Sequence, residues 1–173
     1  MHIAISGAQG TGKSTLMKSL KEKLQFKFFE GVTRSISARG FKINEEGTNE
    51  TQREMMKIHK ENSEYNFDAV YDRCALDVMV YTHYLFNNNQ ITIEVLEDVI
   101  KIFEEIIGRY DIIFYILPEF DIEDDGERST SKQFRDDIVD LFELYIKRYN
   151  INVELLTGTV EKRVHEILKK INQ

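Results

Sequence analysis

The chain of 173 residues is 42% hydrophobic, long enough for one well-buried core and too short for two ordinary domains. A formal net charge of −7 tilts the partner towards a small molecule and makes long nucleic acid the weaker candidate. The lone cysteine, Cys74, rules out an intramolecular disulfide framework, and four scattered histidines without cysteine partners argue against a structural zinc site.

Residues 2–6 read as a short apolar strand that runs into a glycine loop. The stretch 13–24 reads as a helix with Leu16, Met17, Leu20 and Leu24 on one side. A second strand is expected over 26–32, a polar-rich helix over 51–65 and a shorter third strand over 66–71. Helical spacing returns at 75–86, through Leu76, Met79, Val80 and Tyr84. It recurs at 92–107, with Leu96, Val99, Ile100, Phe103 and Ile107 in one stripe and Gly108 as C-cap. Residues 111–117 (DIIFYIL) form an almost unbroken apolar run, the mark of a strand covered on both faces. A helix over 131–149, a last strand over 152–156 and a helix over 160–171 close the chain.

This alternation predicts a single α/β domain with a parallel sheet between helices. The least regular stretches, 40–48 and 118–130, are expected at the mouths of the sheet. No apolar run approaches a membrane span and the first residues carry no basic leader, so a soluble, cytoplasmic protein without membrane partners is expected.

Within the first loop, Gly7-Ala8-Gln9-Gly10-Thr11-Gly12-Lys13-Ser14 fills every fixed position of G-x-x-x-x-G-K-[ST]. Such a loop turns backbone N–H groups around an anion, and the following helix N-terminus adds its partial positive charge. Gly7, Gln9, Gly10, Thr11, Gly12, Lys13, Ser14 and Thr15 are therefore the expected ATP-binding residues. Lys13 would reach the β and γ phosphates, and the Ser14 hydroxyl would ligate Mg²⁺. The competing reading, a glycine-rich turn with a chance lysine, leaves the complete motif unexplained.

The stretch Ala69-Val70-Tyr71-Asp72-Arg73-Cys74-Ala75-Leu76-Asp77 sets an Asp-Arg pair at the end of the third strand and ahead of a helix. Here the chain resembles the small P-loop kinases of nucleosides and nucleotides. Thymidylate kinases carry a similar Asp-Arg pair, and deoxynucleoside kinases carry Glu-Arg-Ser. The resemblance implies that Asp72 organises Mg²⁺ and its waters or the acceptor, and that Arg73 holds phosphate oxygens near the transfer point. The alternative is an ordinary helix start, with Asp72 as N-cap and Arg73 solvated. Leaving the second strand, Glu30 can accept the proton of an attacking hydroxyl and Arg34 can clamp an acceptor phosphate; a solvated ion pair is the rival reading. Arg128, in Asp124-Asp125-Gly126-Glu127-Arg128, and Arg135 fit an arginine-bearing lid over about 118–136, or simple pairing with neighbouring acids.

Arg34, Gln52, Asp72-Arg73 and Asp-Gly-x-Arg after Pro118 also resemble AAA ATPases and kinases related to the ribosylnicotinamide kinase domain, often encoded by bacteriophages. By that resemblance the fold is a P-loop NTPase three-layer sandwich with a five-stranded parallel sheet, ordered 2-3-1-4-5. The acceptor region would span about 31–65, with Gln52 facing the acceptor or merely following a helix cap. Gly158 would lie beside the adenine, or in a plain strand-to-helix turn. No acid ends the fourth strand, which argues against a motor ATPase.

The expected activity is an ATP- and Mg²⁺-dependent kinase of a nucleoside monophosphate, a deoxynucleotide foremost, on the strength of Arg34, Arg39 and Arg73. One alternative is a hydroxyl acceptor with Glu30 as base: a nucleoside, a ribosylnicotinamide-like compound or a hydroxymethylated base in DNA. A regulatory nucleotide-binding ATPase is the other. Phe41, Tyr65, Tyr81 and Tyr84 read as core or rim residues, and an exposed face of the 92–107 helix can serve a dimer.

Overall fold

Strand β1, His2–Ser6, is buried from Ile3 onward and so belongs in the middle of a covered sheet. In the computed structural model, which describes residues 1–119 and 131–172, it lies between β3 (Ala69–Asp72) and β4 (Ile112–Ile116). Ile3 is in register with Val70 on one side and Ile112 on the other. Strands β2 (Lys27–Phe29) and β5 (Val153–Leu156) add to the outside, giving a parallel five-stranded sheet of order β2-β3-β1-β4-β5.

Alternate residues of the central strands feed two cores. Ile3, Ile5, Val70 and Phe114 pack against helix α1 (Lys13–Lys21) and helix α7 (Val160–Ile171), through Leu16, Leu20 and Ile167. Ala4, Tyr71 and Tyr115 face the opposite layer. That layer holds α3 (Asn49–Ser63), α4 (Ala75–Asn87), α5 (Ile93–Ile106) and α6 (Lys132–Arg148). The outer side of α5 is tied to α3 by Arg53–Asp98 (2.9 Å) and Lys60–Glu105 (2.7 Å). Among the described residues, no helix is long and apolar enough to cross a membrane.

The expected elements are all present in the expected order, with one helix in addition, and several boundaries differ, among them the third strand, which starts at Ala69 rather than at 66. The second strand is three residues long rather than 26–32, because Gly31, at φ 72°, turns the chain into a helix, α2 (Val32–Ala38). That helix buries only Val32 and Ile36, too short a pattern for periodicity to reveal. Gly108 is no left-handed cap: α5 runs into a 3-10 turn, Ile107–Arg109, which contains it. Helix α1 ends at Lys21, short of Leu24. The lid expected over 118–136 falls largely outside the described residues.

Phe103 is fully buried on α5 and meets the Tyr149 ring edge-on at 5.0 Å. Phe103→Ala should cost about 3–5 kcal/mol. The urea midpoint should fall with the slope unchanged, since the compactness of the two states is not altered.

Candidate active site

The loop between β1 and α1 is shaped by its neighbours as much as by its own glycines. Gly7 has φ 139°, and a Cβ there would lie 2.5 Å from the Ile116 carbonyl oxygen, so β4 passes where any side chain would stand. Gly12, at φ 83°, supplies the left-handed residue that starts α1. Lys13 is buried, and its Nζ donates to the carbonyls of Gly7 (2.7 Å) and Ala8 (2.5 Å) and to Thr11 Oγ1 (3.0 Å). The ammonium thus lies inside the curl of the loop, where an entering phosphate would exchange with those oxygens.

Beneath the loop sits Asp77, 2% exposed. Its carboxylate accepts from Ser6 Oγ (2.8 Å), from the Cys74 N–H (2.9 Å) and, at 3.4 Å, from the Gly7 N–H. Arg73 NH1 donates to the same group at 3.2 Å and to the Gly7 carbonyl at 3.4 Å. The Arg73 guanidinium also lies 5.3 Å from the Tyr81 ring, and the Tyr81 hydroxyl donates to Gln9 Oε1 (2.9 Å). Arg73 is therefore held against the phosphate loop. The cap of α4 is Cys74, so the reading with Asp72 as N-cap and Arg73 solvated does not hold. Arg73 reaches this place through a left-handed backbone, φ 74°, a strained setting for a non-glycine residue.

A cleft of about 760 Å³ opens over the loop. Gln9 to Ser14 line one wall, Asp72 and Arg73 another, and Gly31, Thr33, Arg34 and Asn44 the third. The structure thus brings together Gln9, Gly10, Thr11, Gly12, Lys13, Ser14, Arg34, Asp72 and Arg73 from the expected set. Ser14 and Asp72 share the cleft, and a hydroxyl with a carboxylate is the sparse oxygen set that suits Mg²⁺ arriving with nucleotide phosphates and waters.

Other expected residues lie elsewhere. Glu30 pairs with Lys21 at 2.8 Å and lines a separate surface hollow, because the turn at Gly31 points it away from the cleft. Arg39 pairs with Glu54 at 2.7 Å and stacks on Phe41, outside the cleft wall. Thr15 is exposed one residue past the lining, and Arg135 is buried near the start of α6 without lining the cleft. Arg128 lies outside the described residues. Gly158 donates its N–H to Glu119 Oε2 (2.8 Å) rather than lining the cleft. Gln52 lies one pocket deeper, 2% exposed, with the Thr82 hydroxyl donating to its Oε1 at 3.0 Å.

Several residues of the site escaped the sequence reading. Arg163, 2% exposed on α7, donates through NH1 to the Thr11 carbonyl (2.7 Å) and through NH2 to Glu119 Oε2 (2.7 Å). It joins the loop to the segment after β4 and, through Glu119, to Gly158. Asp77 could have been found by its spacing, three residues after the helix cap. Nothing local marks Arg163, whose loop partner is 152 residues away. His59, on the buried side of α3, lines the deeper pocket, and burial lowers its pKa to about 4. Burial also raises the Tyr81 hydroxyl and carries the Cys74 thiol well above its ordinary value.

A family model described as an AAA domain matches residues 2–163. The chain belongs to this family. No curated protein matches it. Among solved structures, the AAA-domain chain is similar to NadR protein in complex with NR, at 21% identity and TM-score 0.76, covering 99% of this chain and 50% of that one. It is also similar to deoxyadenosine kinase from M. mycoides with dCMP and dCDP bound, at 16% identity and TM-score 0.72, covering 99% and 98%. Shikimate kinase from Aquifex aeolicus aligns at 20% identity and TM-score 0.61, covering 99% and 96%. These likenesses establish the small P-loop kinase fold, and the chain spans about half the length of NadR.

Two outcomes are expected from this geometry. Arg163→Met keeps the reach and loses both charged hydrogen bonds, so nucleotide affinity, read by titration, should fall roughly tenfold or more while far-UV circular dichroism is unchanged. The second concerns acid. His59 has an ordinary pKa of 6.5 unfolded and about 4 folded, so below pH 6.5 the unfolded chain takes up a proton that the folded chain refuses. Its contribution to stability is complete above pH 6.5 and is lost as pH falls towards 4. Roughly 2 kcal/mol should go by pH 5, and His59→Leu should remove that part of the slope in urea melts at pH 7.5 and 5.

Proposed function

We propose that the protein is an ATP- and Mg²⁺-dependent kinase that transfers the γ-phosphate to a nucleoside monophosphate, a deoxynucleotide foremost. The observation that carries this reading is the single cleft in which Lys13, Arg34 and Arg73 surround the phosphate loop, with Asp72 as the acidic lining residue among those described. An acceptor phosphate is already ionised and needs no general base, which suits a site whose candidate base, Glu30, is paired with Lys21 elsewhere.

In this reading Lys13 leaves the loop carbonyls for the β and γ phosphates of ATP. Arg34 holds the acceptor phosphate, and Arg73, fixed by Asp77 and Tyr81, sits where negative charge spreads over the transferring oxygens. An acceptor oxygen forms a bond to the γ phosphorus as the bridging oxygen to the β phosphorus departs with its electron pair on ADP. Ser14 and Asp72 would hold Mg²⁺, which when bound would supply charge neutralisation for the nucleotide phosphates. Positioning and charge neutralisation supply most of the rate.

A hydroxyl acceptor is the second reading, favoured by one observation. Arg39 is drawn off to Glu54, which reduces the guanidinium count on the acceptor side, while Asp72 lines the cleft as a carboxylate able to take a proton. The likeness to NadR in complex with NR and to a deoxyadenosine kinase supports it.

Transfer of labelled γ-phosphate from ATP, with and without Mg²⁺, to ribo- and deoxynucleoside monophosphates, nucleosides, ribosylnicotinamide and DNA separates these readings. A labelled diphosphate is expected. Label on a nucleoside or on DNA would establish the hydroxyl acceptor instead, and release of free phosphate alone would point to a regulatory ATPase. Lys13→Ala should lower kcat by about 10²–10³-fold or more without unfolding the protein. Arg73→Ala should damage the acceptor step more than ATP affinity, read as separate KM values for the two substrates.

A further inference from the structure

Behind Arg73 the cleft continues into a smaller pocket that shares Thr33, Asn44 and Arg73 with it. Its remaining walls are of three kinds. Met55, Val78 and Tyr81 offer apolar and aromatic surface, Gln52 and His59 offer polar atoms, and the Asp77 carboxylate, already paired with Arg73, lines it as well. His59 is 3% exposed, and its Nδ1 is buried with no hydrogen-bond partner among the described residues. Gln52 accepts from the Thr82 hydroxyl through Oε1. The Tyr81 hydroxyl is committed to Gln9 and does not satisfy the His59 nitrogen.

A buried polar atom left without a partner costs free energy that a complementary ligand recovers. Here the unsatisfied atom belongs to a residue that lines a pocket with apolar and aromatic surface, next to a charged cleft. Burial keeps the His59 ring neutral at pH 7, offering one N–H and one lone pair, which suits an uncharged edge and not a phosphate. We propose that this pocket seats the planar, uncharged heterocycle of the acceptor, and that His59 is a specificity-determining residue that reads its hydrogen-bonding edge. The ligand class is a nucleobase-type ring with neighbouring N–H and carbonyl or ring-nitrogen groups. Its anionic end extends past Arg73 towards Lys13. The inference rests on the kinase reading for the direction of the acceptor, but not for the pocket itself.

The test compares wild type with His59→Leu and His59→Asn, in transfer assays and in calorimetric titrations with nucleoside monophosphates and nucleosides carrying each base. His59→Leu fills a similar volume without a polar atom, so its fold should persist, and thermal melting checks this. The preferred acceptor should lose about ten- to a hundredfold in KM, with kcat and the KM for ATP unchanged. Discrimination among bases should narrow, and His59→Asn, which restores a polar atom near Nδ1, should recover part of it. A wild-type ¹⁵N spectrum adds a reading that needs no variant: the His59 Nδ1 resonance should shift when the preferred acceptor is added.

An unchanged acceptor KM and base ranking in His59→Leu, or an unmoved Nδ1 resonance, would overturn the proposal while leaving a working kinase intact. Failure of every base to bind the wild type would overturn it as well. Base binding that depends on His59 but leads to no phosphoryl transfer would uphold the pocket and sink the kinase reading.

Discussion

A single buried carboxylate holds the working end of this molecule together. Asp77 accepts from the last side chain of β1, from the first amide of the phosphate loop, from the backbone at the start of α4 and from Arg73. A charge so deeply placed is tolerated only when it is fully paired, and here each partner belongs to a different part of the site. The loop that would receive phosphates, the arginine beside it and the helix behind it are positioned by one group. Charge and geometry are thus set together, since Arg73 lies where Asp77 and Tyr81 allow.

The second tie works from the other side of the sheet. Arg163 bridges the Thr11 carbonyl and Glu119, and Glu119 takes the Gly158 amide. Three loops that follow three different strands are joined at the carboxyl edge, where open α/β sheets place their ligands. Asp77 fixes the loop towards α4 and Arg163 fixes it towards α7. Lys13, between them, has its ammonium satisfied by carbonyl oxygens of its own loop.

How much of this was legible in the sequence follows from the range of the interactions. The phosphate loop is a contiguous motif whose mechanism needs those residues in that order, and strands such as 112–116 announce themselves by unbroken apolarity. The order of the sheet came from resemblance alone. Helix α2 is not legible, because seven residues with two buried positions carry almost no periodic signal. Leaving a strand, Glu30 reads as a cleft residue, but a left-handed glycine one residue later turns it away to Lys21. Arg39 looked like part of an arginine cluster, while Glu54, across on α3, had the stronger claim on it. Arg163 and His59 take their roles from contacts between distant segments, which spacing along the chain does not encode.

The close approach of Gly7 to the Ile116 carbonyl has a consequence for how this protein is dissected. In an isolated phosphate loop, replacing a glycine perturbs the ligand. At Gly7 a methyl group would press on the backbone of a central strand, and the damage would spread through the sheet before any nucleotide arrived. An inactive variant at that position would report on the architecture and say nothing about chemistry. Two glycines of one motif therefore carry different information: Gly7 is a spacer between a loop and a strand, whereas Gly12 shapes the start of the helix. Inheritance of the motif as a unit, in such a protein, reflects the demands of the sheet as well as those of the bound anion.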